Sequence, residues 1–114
     1  MAEKISRTLQ DLTKGETVTV TIATAVANST EIQFGGHAGG LVYVPTGTSM
    51  TTLTWYASPK SGGTFYAVED GAAGAIQSTV SGGDAVPIPP ECYGAAVLKI
   101  EADAAGTAGV TLKG

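Results

Sequence analysis

The feature that most constrains the fold is an alternation of apolar and polar residues with a period of two. It first appears in the segment 17–22, which reads TVTVTI, and it returns in the segments 98–101 and 110–113. Because successive side chains of a β-strand point to opposite faces, this alternation predicts strands with one buried face and one solvated face. We therefore expect Val18, Val20 and Ile22 to point inward and the threonines between them to point outward.

Further segments fit the same pattern with local variations. Ile32 and Phe34 are expected to face the core, whereas the polar residues between and before them face solvent. In the segment 52–57, Trp55 is expected inside and Tyr56 on the opposite, outer face. The run LVYV at 41–44 is apolar throughout, which predicts a strand that is covered on both faces. Shorter strands are expected at 64–68, 75–80 and 86–88.

Dense turn signals separate these segments. Glycine and proline clusters follow most of them, and Glu69-Asp70-Gly71 is typical of a hairpin turn in which the glycine supplies a positive φ. About eight or nine short strands at intervals of about 8–12 residues are the signature of a β-sandwich or jelly roll. The sequence therefore predicts an all-β domain of antiparallel strands over residues 16–114.

The first fifteen residues differ from the rest of the chain. Ile5, Leu9 and Leu12 fall at i, i+4 and i+7, which is one apolar stripe of a short helix. An isolated helix of about twelve residues is marginal in water, so the stripe needs a surface that receives it. Two interpretations stay open. The segment 1–15 is either a short helix or strand on its own domain, or an arm that docks on a neighbouring subunit or partner through Ile5, Arg7, Leu9 and Leu12.

The charge balance narrows the possible partners. The chain has 114 residues, a formal net charge of −4 and only 14% charged residues. Nucleic-acid binding needs clustered lysines and arginines, and beyond Lys14 only three lysines follow. No nucleic acid is therefore expected as a partner. A surface with few charges and many small polar residues also loses little desolvation energy when a partner covers it.

Cysteine usage and hydropathy predict the compartment. Cys92 is the only cysteine, so no intramolecular disulfide is expected, which fits assembly in a reducing cytoplasm. Residues 1–15 lack the apolar core of a signal peptide. No stretch has the ~18 consecutive apolar residues of a membrane span. The sequence therefore predicts a soluble protein that is made in the cytoplasm and has no membrane partner.

Residues that could carry chemistry are few and dispersed. His37 is the only histidine and lies in the glycine-rich segment 35–40, where an imidazole is poorly positioned for catalysis. Cys92 is expected in the core, because free cysteines are among the most buried residue types. No catalytic residue, metal site or cofactor is predicted, and an enzyme is not expected. A calcium site formed by Glu69 and Asp70 in a loop stays open.

The tyrosines are the remaining binding candidates. Alternation places Tyr56 outside, opposite Trp55, and Tyr66 outside, opposite Phe65. Since tyrosine presents a rigid amphipathic ring, this pair could stack on sugar rings or anchor a protein interface. Packing of both rings against a neighbouring loop is an equally open interpretation.

Two segments carry a family resemblance. They are LVYVPTGTSMTTLTWYASPKSGGTFYAVEDG at 41–71 and LKIEADAAGTAGVTLKG at 98–114. They resemble the small β-sandwich head proteins of tailed bacteriophages, in particular capsid decoration or cement proteins. The similarity covers residues from about 40 to 114 and lies in Gly/Thr/Ala-rich strands, short turns, few charges and an N-terminal arm. It implies a protein that adds to a preformed shell, commonly as a trimer on local threefold sites, and no catalytic residues.

The resemblance sets the expected function. It implies a structural virion protein that binds the major capsid protein on the outer capsid surface and stabilises the shell by bridging capsomers, after synthesis in the host cytoplasm. Two alternatives stay open. One is a carbohydrate-binding or adhesin-like module that uses the exposed tyrosines, and the other is a β-domain of a phage fibre or tail.

Overall fold

The computed structural model describes residues 17–37, 39–69 and 74–112 of the chain. In these ranges the protein is all-β, with nine strands in two antiparallel sheets and two short 3₁₀ turns. The strands are β1 (Thr17–Ile22), β2 (Ile32–Gln33), β3 (Gly40–Tyr43), β4 (Thr52–Ser58), β5 (Tyr66–Ala67), β6 (Gln77–Thr79), β7 (Ala85–Pro87), β8 (Val97–Ala102) and β9 (Gly106–Leu112). The 3₁₀ turns are Val26–Asn28 and Pro90–Cys92. The predicted arm at 1–15 and the Asp70-Gly71 turn lie outside the described residues.

The strand order is that of a jelly roll. One sheet has the order β1-β9-β3-β7, and the other has the order β2-β8-β4-β5, with β6 also paired to β4. β5 and β6 run in the same direction along one edge of β4, opposite residues 56–57 and 52–54. Together they replace a single strand, so the topology reduces to the eight-stranded, two-sheet jelly roll. The prediction of an all-β sandwich is confirmed.

The core lies between the two sheets and consists of the inward residues of both. Trp55 and Phe34 are its largest fully buried members. Around them pack the buried strand residues Val20, Ile22, Ile32, Val42, Leu53, Leu98, Ile100, Ala108 and Val110. The inward positions predicted for β1, β2, β4, β8 and β9 are thus confirmed, with Val18 as the exception. Val18 is 56% exposed, because it lies near the beginning of β1 at the edge of its sheet and no described residue covers it.

The apolar run at 41–44 departs from expectation. Val42 and Val44 are buried, whereas Leu41 is 36% exposed and Tyr43 is 42% exposed. The prediction of a strand covered on both faces is wrong. The second sheet packs on only one face of β3, and in the part of the chain that the structure describes no further layer packs on the other.

A buried serine ties the two sheets together at one corner. The Ser29 hydroxyl donates to the carbonyl oxygen of Ile100 at 2.6 Å and accepts from the Ala23 N–H at 3.2 Å. Ala23 also forms a parallel bridge with Glu101 of β8, and its carbonyl accepts from the Ala102 N–H. The corner therefore fixes the end of β1, in the first sheet, against β8 in the second.

A carboxylate fastens the turn between β8 and β9 to the start of β4. Asp103 accepts hydrogen bonds from the Thr51 N–H at 2.8 Å, from the Thr52 N–H at 3.2 Å and from the Thr51 hydroxyl. These donors, led by the Thr51 hydroxyl, stabilise the ionised form and lower the pKa of Asp103 from 3.8 to about 2. The ionised carboxylate therefore holds three donors of a neighbouring segment.

The titration of Asp103 predicts a specific loss of stability in acid. Because its folded pKa lies below the ordinary value of 3.8, its contribution is complete above that value and is lost as the pH falls towards about 2. The free energy of unfolding of the wild type should therefore fall more steeply between about pH 5 and about pH 2 than that of Asp103→Asn, which has no carboxyl there. Urea denaturation over this range measures both slopes, and parallel curves would contradict the assignment.

Candidate interaction surface

The candidate site is the outer face of the sheet β1-β9-β3-β7. Paired residues of antiparallel strands place their side chains on the same face, and Leu41 pairs with Thr111 on one side and Pro87 on the other. The alternate row contains the buried Val42 and Val110, so the Leu41 row points away from the core. We call this surface the neutral face. It consists of Thr19, Thr21, Leu41, Tyr43, Ala85, Pro87, Thr107, Gly109 and Thr111.

The neutral face carries no charged residue. No Asp, Glu, Lys, Arg or His occurs in β1, β3, β7 or β9 as the structure describes them. Leu41 and Tyr43 are the large apolar residues at its centre, and both are exposed. An exposed apolar patch with a polar surround is a common mark of an interaction site. This face can be desolvated without stripping water from any ionised side chain.

The outer face of the other sheet has the opposite character. Lys99 and Glu101 project from β8, and each has a partner on this face. The Tyr56 hydroxyl donates to Glu101 Oε1 at 3.4 Å, and Lys99 Nζ lies 4.8 Å from the centroid of the Phe65 ring. Covering this face would require removing water from two ionised groups, which is costly. The sandwich is therefore chemically two-sided, and the neutral face is the side that is easier to bury.

The size of the neutral face limits what one copy can bind. Its four strands have six, seven, four and three residues, so at about 3.4 Å per residue and about 4.8 Å between strands the face covers roughly 330 Å². A stable protein–protein interface typically takes about 800 Å² from each partner. A single neutral face therefore supplies less than half of one partner's usual share, and tight binding needs a second contact or several copies.

The two predicted tyrosines do not form a joint surface. Tyr56 lies on the outer face of the second sheet as predicted, and it is half-buried there. Its pKa is raised by burial and by the neighbouring Glu101. Tyr66 is 63% exposed, but it pairs with Ala57, so its side chain lies on the side of the sheet opposite to Tyr56. Phe65, which alternation places opposite Tyr66, lies instead beside Lys99 of β8, whose Nζ is 4.8 Å from the centroid of the ring.

Tyr66 borders an open cleft of about 350 Å³. Ala57, Val68, Glu91 and the small residues of the segment 94–96 also line it. The cleft is mainly apolar and contains one aromatic ring and one carboxylate. These two groups belong to elements that are distant in the sequence, so spacing alone does not reveal their proximity.

The other candidate residues are placed as follows. The His37 ring lies 6.4 Å from the Phe34 ring, which in turn lies 6.1 Å from the Tyr93 ring. Cys92 is buried as predicted, and burial, with a smaller effect of Glu91, raises the pKa of its thiol to about 12. Ile5, Arg7, Leu9 and Leu12 lie outside the described residues, as does Asp70.

Two further findings, on metal sites and on membrane-spanning helices, apply to the described residues alone. Within residues 17–37, 39–69 and 74–112, no group of three His, Cys, Asp or Glu side chains is arranged to hold a metal ion. In the same ranges no helix has the length and apolar character needed to cross a membrane.

Comparisons with known proteins give no relative: no family model, no curated protein and no solved structure matches the chain. The neutral face is therefore identified from the structure alone, without support from a related protein. Its sequence signal is the absence of charge from four separate β-segments. This absence of charge is visible in the sequence, but it does not show whether the outer face of these strands is covered.

Proposed function

We propose that the protein is a structural virion protein that binds the outside of a phage capsid and bridges neighbouring copies of the major capsid protein. The observation that carries the proposal is the neutral face, with Leu41 and Tyr43 exposed at its centre and no charge in its four strands. Tyrosine in the centre of such a patch is a typical interface anchor. The resemblance of segments 41–71 and 98–114 to capsid decoration proteins supports the choice of partner.

The area of the neutral face supports a bridging mode of binding. Since roughly 330 Å² is less than half of the roughly 800 Å² that one partner usually contributes, one face on one capsid subunit forms a weak complex. Copies arranged on symmetry-related sites of a shell add their contacts through a high effective concentration. The resemblance implies a trimer for this purpose. Stabilisation of the shell then follows because each added copy holds more than one capsid subunit in place.

A charge placed on the neutral face is expected to abolish this binding. Leu41→Glu should lower occupancy of purified major-capsid-protein shells at least about tenfold, because the new carboxylate would be buried without a partner. Co-sedimentation of the protein with the shells measures the occupancy. Thr79→Glu, at an exposed position of the other sheet, is the matched control and should bind as the wild type does. Equal binding of Leu41→Glu and wild type, with both folded, would refute the assigned face.

The arm is the proposed second contact. Its apolar stripe, Ile5, Leu9 and Leu12, needs burial that a short isolated helix cannot provide for itself. Deletion of residues 1–14 is expected to leave the β-sandwich folded, since the sheets and core described above are formed by residues 17–112, and to weaken shell binding. Thermal unfolding and co-sedimentation measure the two effects. A truncated protein that binds shells with unchanged affinity would show that the arm makes no contact.

The cleft beside Tyr66 favours a second candidate function, the binding of a glycan. A concave, mainly apolar site with an aromatic ring and a few polar groups is typical of small-ligand sites, and Tyr66 and Glu91 provide both features. If this function holds, a glycan array should show a ligand for the wild type that Tyr66→Ala loses, because the ring that stacks on the sugar is gone. An array without signal, or a signal that Tyr66→Ala keeps, would remove this candidate.

A further inference from the structure

The edge of β1 that faces away from β9 is a second candidate contact surface in the described part of the chain. β1 ends the strand order of its sheet and pairs only with β9. The Thr21 N–H donates to Thr30 Oγ1 and the Thr21 carbonyl accepts from the Thr30 N–H, both at 2.9 Å and both on the side away from β9. Backbone groups of a strand alternate in direction, so those of Thr17 and Thr19 point to this same edge. Among the described residues, none pairs with them.

This edge lacks the features by which natural proteins usually protect edge strands. Such strands are commonly very short, bulged, or interrupted by lysine or proline. β1 is six residues long, reads TVTVTI, and pairs one-to-one with β9 without a bulge. The other edge of the same sheet is β7, which has only three residues and ends at Pro87. Of the two edges, β1 is the one that is open to a further strand.

We propose that β1 pairs in antiparallel fashion with β1 of a second copy, about a twofold axis through Val18. In this register Thr17 of each copy lies opposite Thr19 of the other, and each of these pairs exchanges two hydrogen bonds. The two Val18 residues meet as a non-hydrogen-bonded pair with Cα atoms about 4.5 Å apart. The exposed side chain of Val18 is covered by its counterpart.

The strand is suited to a second copy of itself. The sequence Thr-Val-Thr at 17–19 reads the same in both directions and carries no charge, so no like charges meet across the axis. The hydrogen bonds between Thr21 and Thr30 end the pairing at a defined point. The interaction therefore selects one register and joins two copies, because β1 is the one open edge of the described β1-β9-β3-β7 sheet, and this dimer would replace the trimer that the resemblance implies.

Pairing at this edge also enlarges the neutral face, and this step rests on the proposed function. A twofold axis perpendicular to the sheet keeps both neutral faces on the same side, in one continuous sheet of eight strands. Their combined area is then roughly 650 Å², which approaches the roughly 800 Å² that one partner usually contributes to a stable interface. The pair therefore presents one continuous surface of about twice the area that a single copy offers.

A single-cysteine variant tests the pairing directly. Val18→Cys places two thiols at a Cα separation of about 4.5 Å, within the range of disulfides. The native Cys92 does not compete, because it is buried and buried structural cysteines are inert. Under mild oxidation we expect Val18→Cys to form disulfide-linked dimers at least about tenfold faster than Thr107→Cys, an exposed position on the neutral face. Equal rates for the two variants would overturn the proposal.

A proline variant distinguishes disulfide crosslinking through the paired edge from crosslinking through random collisions of monomers. Thr19→Pro removes an N–H that β9 does not use, and proline is tolerated at edge positions of this kind. The double variant Val18→Cys/Thr19→Pro should form dimers only as fast as Thr107→Cys, with an unchanged melting temperature. Fast crosslinking in the folded double variant would overturn the proposal, and so would crosslinking that appears only after deletion of residues 1–14.

The outcomes for pairing and for the proposed function are distinguishable. Sedimentation of the wild type gives the mass of the assembly, and a trimer without Val18→Cys crosslinking would overturn the β1 pairing while leaving capsid binding intact. A failure of Val18→Cys to crosslink does not change the expected loss of shell occupancy for Leu41→Glu. Conversely, shells that bind Leu41→Glu normally would refute the neutral face as the contact, and shells that bind no wild-type protein would refute the proposed function, even if the dimer forms. If Thr19→Pro lowers shell binding while Thr19→Ala, which also removes the hydroxyl from the neutral face but keeps the N–H at the edge, does not, and no dimer exists in solution, the edge belongs to a capsid strand and the second copy is the wrong partner.

Discussion

The register of β9 is the constraint on which the rest of the structure depends. β9 pairs with β1 on one side and β3 on the other, so it sets which residues of three strands face the core. A slip of one residue would replace Ala108 and Val110 in the core by Gly109 and Thr111. A close backbone approach helps to prevent this: a Cβ on Gly40 would lie 2.2 Å from the Thr111 carbonyl oxygen. Only glycine fits there, so the contact belongs to one alignment of β3 and β9.

Most of the fold could be predicted from the sequence, because period-two alternation is a local property. The inward positions of Ile22, Phe34, Trp55 and Ile100 follow from the pattern of each strand alone, and all four are buried. The jelly-roll order does not follow from it, because it depends on which strands pair over long separations. The same limit explains Tyr66. Its face is set by its pairing with Ala57, which no local pattern contains.

The neutral face could not be predicted because its defining property is the absence of a covering layer. The run at 41–44 has the continuous apolar composition of a strand in a sheet that is covered on both faces. In the described part of the chain, Leu41 and Tyr43 are left bare, since the second sheet reaches only the other face of β3. An apolar patch that no described residue covers is a common mark of an interaction site, and this is the observation that the proposed function uses.

The two open surfaces lie on the same sheet but point in perpendicular directions, so that binding at one does not obstruct the other. Thr19 shows how this works, because its backbone groups point along the sheet to the free edge of β1 while its side chain belongs to the neutral face. Hydrogen bonds at the edge act in the plane of the sheet, and contacts of Leu41 and Tyr43 act along its normal. Copies of charge −4 repel one another only within a Debye length of about 8 Å at physiological salt. Because the described strands of this sheet carry no charge, short-range hydrogen bonds and apolar contacts would decide the proposed association.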